Sequence, residues 1–253
     1  MARSSITPKV AAPPVRKPRT PDRIGVTELV IGFLLALVAM LMFALLAGQI
    51  YDKEAFVLDA VANPFLHAIS SPALDVVMNG ITTLGSVPFV SALFVGSVLF
   101  FVYKGHRAEA LFLTVAIGGA VLLNSLLKVF IERPRPALPW AHVLPDYSFP
   151  SGHSMNSLVF YLAVALIVRT VYGQRAGAIA VPLALVIAIA VGFSRIYLGY
   201  HYLSDVVGGF AAGLAWLVIV AIGFEAIPRT WAKRPWARRA RPAGRAGHGK
   251  PAS

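Results

Sequence analysis

The sequence predicts an all-α, polytopic membrane protein with six transmembrane helices and one short interfacial helix. The first observation behind this prediction is composition: 57% of the 253 residues are hydrophobic, 13% are charged, and the mean hydropathy is +0.72. Soluble domains usually carry about 25% charged residues. The second is a series of uncharged stretches of about 20 residues, the length that crosses a bilayer as a helix. The third is the lack of strand-type alternation in these stretches, which favours helices over a barrel.

Six stretches are long and apolar enough, or nearly so, to cross the bilayer. The shortest, 154–168, can continue to about Tyr172 because the side chain of Arg169 can extend to the membrane surface. Each of the others is bounded by charged residues and contains none, or almost none. The six predicted spans are 29–51, 76–103, 110–127, 154–168, 176–194 and 206–224.

The segment 53–75 has a different pattern from the spans. Acidic, amide and imidazole side chains alternate there with Phe56, Leu58, Phe65 and other apolar residues. Such an amphipathic segment is typical of a helix that lies in the membrane interface. We predict an interfacial or partly re-entrant helix that is broken near Pro64.

The two ends of the chain are basic and rich in Pro, Ala, Gly or Ser. We predict disordered cytoplasmic tails at 1–24 and 228–253, on either side of a membrane domain at 25–227. Binding of these tails to anionic lipid or nucleic acid is one interpretation of the net charge of +12. The favoured interpretation is that the basic tails are a topology signal. They lack the interleaved aromatic residues that are typical of nucleic-acid-binding segments. The absence of cysteine excludes a thiol nucleophile, a cysteine-based zinc site and disulfides.

The distribution of Lys and Arg predicts the orientation. With six spans, 18 of the 23 Lys and Arg residues fall on the side that holds both tails. Positive residues are enriched on the cytoplasmic side of membrane proteins. Both termini are therefore predicted to be cytoplasmic, in a multi-pass protein of the cell (inner) membrane. Three motifs rich in ionisable residues then meet on the opposite, extracytoplasmic face.

The first of these motifs pairs His201 with Asp205. Their i, i+4 spacing places both side chains on one face of a helical turn. A carboxylate that accepts one imidazole N–H fixes the tautomer and leaves the other nitrogen free, which is the logic of an oriented nucleophile. The alternative is an ordinary His–Asp pair that caps the last helix.

The second motif is the run Pro150-Ser151-Gly152-His153, directly before the fourth span. Backbone N–H groups at a helix start form an anion site, and glycine allows the backbone to approach an oxyanion. His153 would then stand beside that anion, where it could protonate a leaving oxygen. The alternative is a helix N-cap by Ser151 with a solvated histidine.

Three cations complete the set: Lys128, Arg135 and Arg195. A phosphoryl group in transfer spreads negative charge over its equatorial oxygens, and Arg offers bidentate contacts to such oxygens. For Lys128 the alternative is an interaction with lipid headgroups. Arg133, in the same loop as Arg135, either touches the headgroup of a substrate or faces solvent.

The combination resembles the type 2 phosphatidic acid phosphatase superfamily, which includes the vanadium haloperoxidases. The resemblance covers about residues 50–225 and omits the tails. One local departure is Leu203, where many relatives have proline before the Ser-Asp pair. The family signature is matched at Lys128, Arg135 and Pro136; at Pro150, Ser151, Gly152 and His153; and at Ser194, Arg195, His201 and Asp205.

The resemblance implies a six-helix phosphatase core and a role for each matched residue. His201 would form a phosphohistidine, Asp205 would orient it, and His153 would protonate the leaving group and later activate water. The implied phosphate-binding residues are Lys128, Arg135, Ser151, Gly152 and Arg195, with no metal and no cofactor.

The implied substrate is a lipid phosphate or diphosphate of the bilayer. Among the candidate substrates, polyprenyl diphosphate is favoured slightly over phosphatidylglycerophosphate and phosphatidic acid. A phosphotransferase that passes the phosphate to a lipid or sugar acceptor is the main alternative. A non-catalytic lipid-binding or transport protein is the remote one.

The sequence also gives predictions for one asparagine and for the four remaining histidines. Asn124 is expected to form a hydrogen bond between helices. His67 and His142 lie on the predicted face of the site and could line its mouth. His106 and His248 are predicted on the cytoplasmic side, away from it.

Overall fold

Eight α-helices make up the part of the chain that the structure describes. The computed structural model describes residues 26–53, 56–141 and 144–226, and no strand occurs among them. The predicted all-α fold is therefore confirmed, while the predicted tails at 1–24 and 228–253 lie outside the described residues. In chain order the helices are α1 (Val26–Tyr51), α2 (Val57–Ala68), α3 (Pro72–Thr83), α4 (Val87–Tyr103), α5 (Arg107–Ile131), α6 (Gly152–Tyr172), α7 (Gln174–Tyr197) and α8 (Leu203–Ala226).

Five of these helices are long and apolar enough to cross a membrane: α1, α5, α6, α7 and α8. They match five of the six predicted spans. The sixth, 76–103, is not one continuous helix, because it is interrupted at 84–86. Its residues fall in α3 and α4, which are bent by 41° relative to each other and complete a sixth span if the pair is counted as one.

The break between α3 and α4 comes from local sequence and from packing. Ser86 caps α4, since its hydroxyl oxygen accepts a hydrogen bond from the backbone N–H of Phe89 at 3.4 Å. Gly85 lies so close to α6 and α7 that a Cβ there would overlap Val191 and would come 3.4 Å from Cδ2 of His153. The chain therefore turns at Gly85, where it packs against the start of α6 that carries His153.

Within the segment 53–75 the described residues include α2 and the start of α3, and the break does not lie near Pro64 as predicted. Pro64 is inside α2, which continues to Ala68. The break follows at 69–71, where the Ser71 hydroxyl accepts from the N–H of Leu74 at 3.3 Å and Pro72 begins α3. A serine cap followed by proline is a strong helix start, and it decides the boundary.

Helix α6 is the centre of the bundle, with α5, α7 and α8 packed around it. Helix α1 packs against α8 and exposes most of its other apolar side chains, as a lipid-facing helix does. Because these helices alternate in direction, the carboxyl ends of α5 and α7 meet the amino ends of α6 and α8. All three motifs of the sequence lie at this end of the bundle.

Candidate active site

The centre of the site is a buried pair between His201 and Asp205. Nδ1 of His201 lies 3.3 Å from Oδ2 of Asp205. His201 is in the short loop before α8 and Asp205 is in the first turn of that helix. The two side chains therefore share one face, as their spacing predicts. Only 1% of His201 is exposed and Asp205 is fully buried, so their interaction is shielded from bulk water.

Asp205 is also held by the start of α8 and by the loop before α6. Its Oδ2 accepts the backbone N–H of Tyr202 at 2.8 Å, which is the reciprocal bond of a helix capping box. The Ser148 hydroxyl donates to the same oxygen. Asp205 is thus a helix cap and a partner of His201 at once, so the two interpretations of the motif are compatible.

The other nitrogen of His201 faces Arg135. Nη1 of Arg135 lies 3.2 Å from Nε2 of His201, and it also donates to the carbonyl oxygen of Tyr200 at 2.7 Å. A guanidinium can only donate, so Nε2 must be the acceptor. The proton of the neutral ring is then on Nδ1, facing Asp205. This tautomer leaves the lone pair on Nε2, where a nucleophile needs it.

The surroundings of His201 lower its pKa to about 4. Burial is the largest cause, because it penalises the charged imidazolium. Asp205 opposes this effect, whereas the positive charges of Arg135 and Arg195 add to it. His201 is therefore neutral at ordinary pH and able to act as a nucleophile.

Lys128 and Arg135, two of the predicted phosphate ligands, meet through a shared carboxylate. Nζ of Lys128 lies 2.7 Å from Oδ2 of Asp146 and also donates to the carbonyl of Tyr147. Nη2 and Nε of Arg135 lie 2.7 and 3.1 Å from Oδ1 of Asp146. Burial raises the pKa of Asp146, but the two cations outweigh it and hold the pKa below its usual value. The carboxylate of Asp146 therefore already forms ion pairs with both cations. Sequence analysis did not select this residue.

Arg195 reaches the site from the last turn of α7. Its guanidinium stacks on the ring of Tyr200 at 4.2 Å, and Nη1 donates to the Thr82 hydroxyl at 2.8 Å. Its Nε is buried and has no hydrogen-bond partner among the described residues. The backbone carbonyl of Arg195 accepts the N–H groups of Tyr200 and His201, so the same residue anchors the nucleophile loop.

The Pro-Ser-Gly-His run forms the start of α6, after a cis bond between Phe149 and Pro150. Ser151 is the N-cap: its hydroxyl oxygen accepts from the hydroxyl and the N–H of Ser154, and its own N–H donates to the backbone carbonyl of Asp205 at 3.0 Å. The N-cap role of Ser151 is therefore confirmed, whereas His153 is half-buried and not solvated as that alternative expected. The contact of Ser151 with phosphate stays a prediction. His153 follows in the first turn, beside Gly85.

Gly152 allows α5 to approach the start of α6. A Cβ at Gly152 would come 3.0 Å from Oδ1 of Asn124. The amide of Asn124 donates to the carbonyl of Pro150, in the loop before α6, at 3.2 Å. It also lies 3.7 Å from Sδ of Met155 in α6, which confirms the predicted hydrogen bond between helices. This contact fixes the turn that carries Ser151 and His153.

The remaining histidines have separate surroundings. His67 stacks on Trp140 with ring centroids 3.9 Å apart. His106 precedes α5 and lies 3.9 Å from Glu109. His142 and His248 are outside the described residues.

Sequence reasoning missed three residues that the structure brings to the site, Asp59, Asp146 and Ser148, and it missed the role of Arg133. Arg133 lies 2.5 Å from Asp205 and 2.8 Å from Asp59. Its position two residues before Arg135 was a usable signal. Asp59 gave none, because α2 is far away in sequence and meets the site only in the folded protein.

Comparison with known proteins places this geometry in a family. Residues 109–229 match the family model of the PAP2 superfamily. Phosphatidylglycerophosphatase B of Bacillus subtilis is 37% identical over 190 residues, which are 73% of this chain and 92% of that protein. The chain belongs to the PAP2 superfamily. The family predicted from the three motifs is thereby confirmed.

A solved structure agrees in fold. It is the crystal structure of the first transmembrane PAP2-type phosphatidylglycerolphosphate phosphatase from Bacillus subtilis, with a TM-score of 0.69 and 33% identity. It covers 77% of this chain, which in turn covers 98% of it. This PAP2 chain is a multi-pass membrane protein and a lipid phosphate phosphatase.

A second type of named relative leaves the lipid open. An undecaprenyl-diphosphatase of Bacillus subtilis is 28% identical over 166 residues, which are 63% of this chain and 77% of that protein. Some relatives of this PAP2 chain are thus named as phosphatases of a phosphate monoester, and others as phosphatases of a diphosphate.

Proposed function

We propose that this PAP2 phosphatase hydrolyses a lipid phosphate through a phosphohistidine on Nε2 of His201. The observation that carries the proposal is the arrangement on the two sides of one imidazole. Asp205 lies at Nδ1 and Arg135 at Nε2, so the lone pair of a neutral ring points toward a cation that can hold phosphate.

The reaction has two displacements at phosphorus. In the first, Nε2 of His201 forms a bond to phosphorus while the bond to the lipid oxygen breaks, and His153 gives that oxygen a proton. In the second, His153 takes a proton from water, the water oxygen attacks phosphorus, and the bond to Nε2 breaks. Asp205 stabilises the ring while it carries positive charge.

Charge on the transferred phosphoryl group is stabilised by cations and by backbone N–H groups. Lys128, Arg135 and Arg195 supply the positive charge, and the start of α6 at Ser151 and Gly152 supplies dipoles. The proposed reaction therefore assigns no step to a metal or to a cofactor.

Phosphatidylglycerophosphate is the substrate that the comparisons favour. The relative at 37% identity is named a phosphatidylglycerophosphatase, whereas the undecaprenyl-diphosphatase is 28% identical. This reverses the order expected from the sequence, in which polyprenyl diphosphate came first. Polyprenyl diphosphate is the second candidate and phosphatidic acid the third.

The site faces the extracytoplasmic side of the cell membrane in this proposal, and both termini are cytoplasmic. The distribution of positive charge supports the orientation, since 18 of the 23 Lys and Arg residues fall on the side of the tails. The substrate headgroup would then be reached from the outer leaflet.

The test is phosphate release by purified protein in detergent, with EDTA present. The panel contains phosphatidylglycerophosphate, a polyprenyl diphosphate, phosphatidic acid and a water-soluble phosphate ester. We expect release that requires His201 and is fastest with phosphatidylglycerophosphate. Acid-labile phosphate on the wild-type protein, trapped by rapid quenching, should be absent from His201→Ala.

The matched control is Asp75→Asn. Asp75 is exposed in α3 and accepts a hydrogen bond from the Tyr197 hydroxyl at 2.7 Å, away from the reacting groups. This variant should release phosphate at the wild-type rate. Normal release by a folded His201→Ala variant would refute the phosphohistidine, and a preference for polyprenyl diphosphate would refute the substrate order.

A further inference from the structure

We infer that Asp59 and Arg133 are a positioning pair that fixes the carboxylate of Asp205, and through it the ring of His201. The inference rests on the proposed function, in which His201 is the nucleophile. Neither residue belongs to the matched signature, and Asp59 lies in α2, outside the residues 109–229 that match the family model.

Arg133 joins two carboxylates with the two ends of one guanidinium. Nη1 lies 2.5 Å from Oδ1 of Asp205, and Nη2 lies 2.8 Å from Oδ2 of Asp59. The guanidinium is planar and rigid, so its two ends cannot move independently. Burial lowers the pKa of Arg133, but the two carboxylates outweigh burial and raise the pKa above its usual value. Arg133 therefore remains a cation in this setting.

The two oxygens of Asp205 have separate partners. Oδ1 takes Arg133, whereas Oδ2 takes His201, the Ser148 hydroxyl and the N–H of Tyr202. Rotation of the carboxylate would break bonds at both oxygens. Arg133 thus keeps Oδ2 directed at the imidazole.

Asp59 holds this arrangement from the other side. Its Oδ1 accepts the N–H of Ser204 at 2.8 Å, and its Oδ2 accepts the Ser204 hydroxyl at 2.5 Å. Ser204 directly precedes Asp205, so Asp59 fixes the backbone that carries the carboxylate. Asp59 is 6% exposed, which gives its bonds little competition from water.

Helix α2 supports the nucleophile loop at a second point. Asn63, one turn after Asp59, donates to the carbonyl oxygens of Ile196 and His201 at 3.0 and 3.2 Å. One face of α2 therefore contacts the backbone on both sides of the nucleophile. This placement gives α2 a purpose beyond packing.

The geometry also separates Arg133 from Arg135. The terminal nitrogens of Arg133 are engaged by Asp205, Ser204 and Asp59, whereas Arg135 faces Nε2 of His201. Of the two interpretations left open for Arg133, neither solvent nor a substrate headgroup matches what its side chain touches. Its influence on the reaction passes through Asp205.

The test compares Asp59→Asn, Arg133→Gln, Arg133→Lys and the double variant Asp59→Asn with Arg133→Gln. Because neither residue touches phosphate, kcat should fall about 10- to 100-fold while KM and inhibition by inorganic phosphate change less than about 3-fold. The double variant should be no slower than Arg133→Gln alone, within about 3-fold, because both changes break one unit. Arg133→Lys keeps the charge but loses the planar fork, so its kcat should lie between wild type and Arg133→Gln.

Asp75→Asn is the control for the loss of an aspartate charge, and its kcat should be unchanged. Size-exclusion profiles and thermal unfolding show which variants are folded, and Arg133→Lys carries the test if Asp59→Asn does not fold. Three results would overturn the inference: wild-type kcat in folded Asp59→Asn and Arg133→Lys, losses that multiply in the double variant, or a matching rise in KM and in the phosphate inhibition constant. Activity in His201→Ala would instead overturn the proposed function on which it rests.

Discussion

Nη1 of Arg135 and Nε2 of His201 lie 3.2 Å apart, within hydrogen-bond distance. The atom proposed to attack phosphorus therefore accepts a hydrogen bond from a cation that is proposed to hold the phosphate. An arriving phosphate oxygen would take this N–H and release the lone pair of Nε2. Substrate binding and activation of the nucleophile are then one event. The lone pair stays covered until an anion is in place.

The first prediction concerns the protonation state of His201. Burial penalises the imidazolium most, and protonation of Nε2 would also place that charge against Arg135, so the pKa is lowered to about 4 although Asp205 opposes the shift. An imidazolium has no lone pair for attack, so His201 loses its nucleophilic form as the pH falls through about 4. Nitrogen NMR of protein labelled at histidine should show a neutral ring protonated on Nδ1 from pH 8 down to about pH 5.

The resonances of His201 are assigned by their loss in His201→Gln. A ring protonated on both nitrogens at pH 6, or a proton on Nε2 at pH 8, would contradict this account of the site.

The second prediction concerns Asp146, whose carboxylate occupies Lys128 and Arg135. A partly exposed ion pair contributes about 0 to 1 kcal/mol to holding the cations in place. Repulsion between a carboxylate and a phosphate charge about 6 Å away is about 3 kcal/mol at an effective dielectric constant of 20, and solvent screening at the exposed Asp146 reduces it to about 1 to 2 kcal/mol. Repulsion is the larger effect, so Asp146→Asn should bind phosphate more tightly. Inhibition by inorganic phosphate should strengthen about 3- to 10-fold.

Glu132→Gln is the matched control for Asp146→Asn. Glu132 is an exposed carboxylate at the start of the same loop, and it accepts a hydrogen bond from the Tyr147 hydroxyl at 2.9 Å without touching the cations. Its removal should leave phosphate inhibition within about 2-fold of wild type. Weaker inhibition in Asp146→Asn would mean that Asp146 organises the cations and does not compete with phosphate.

The third prediction is that Asp205→Asn lowers kcat by about 10³- to 10⁴-fold, as loss of the orienting carboxylate does in a catalytic triad. The amide cannot stabilise the positive ring, and it also loses the ion pair with Arg133. Breaking a buried pair destabilises a protein, so folding must be verified by size exclusion and by thermal unfolding. Turnover within about 10-fold of wild type would remove Asp205 from the mechanism.

The sequence was sufficient for the parts of this protein that depend on short-range patterns. Hydropathy located α1 and α5 to α8, and the spacing of His201 and Asp205 predicted their pairing. The bend between α3 and α4 was missed because hydropathy does not register Gly85, where contact with α6 and α7 turns an apolar stretch. The boundary after α2 was misplaced because the Ser71-Pro72 start outweighed the proline inside the helix.

The contacts that sequence could not supply are those between distant segments. Asp59 is joined to Asp205 through Arg133 and through Ser204, and Asp146 meets Lys128 because the loop before α6 folds back over α5. The family signature does not include Asp59 or Asp146, whose carboxylates hold residues of the site in place. Those carboxylates become visible only when the helices are packed.

The last prediction concerns topology, which the distribution of positive charge supports. Single cysteines in this cysteine-free chain at Pro145 and Gln174, both exposed, report the two ends of the bundle. Gln174 follows Gly173, the one residue between α6 and α7, whereas Pro145 lies in the loop before α6. A single crossing by α6 therefore separates them. In intact cells an impermeant maleimide should label Pro145→Cys and should label Gln174→Cys only after permeabilisation. Labelling of Gln174→Cys alone in intact cells would invert the protein, and labelling of both in intact cells would mean that α6 does not cross the membrane.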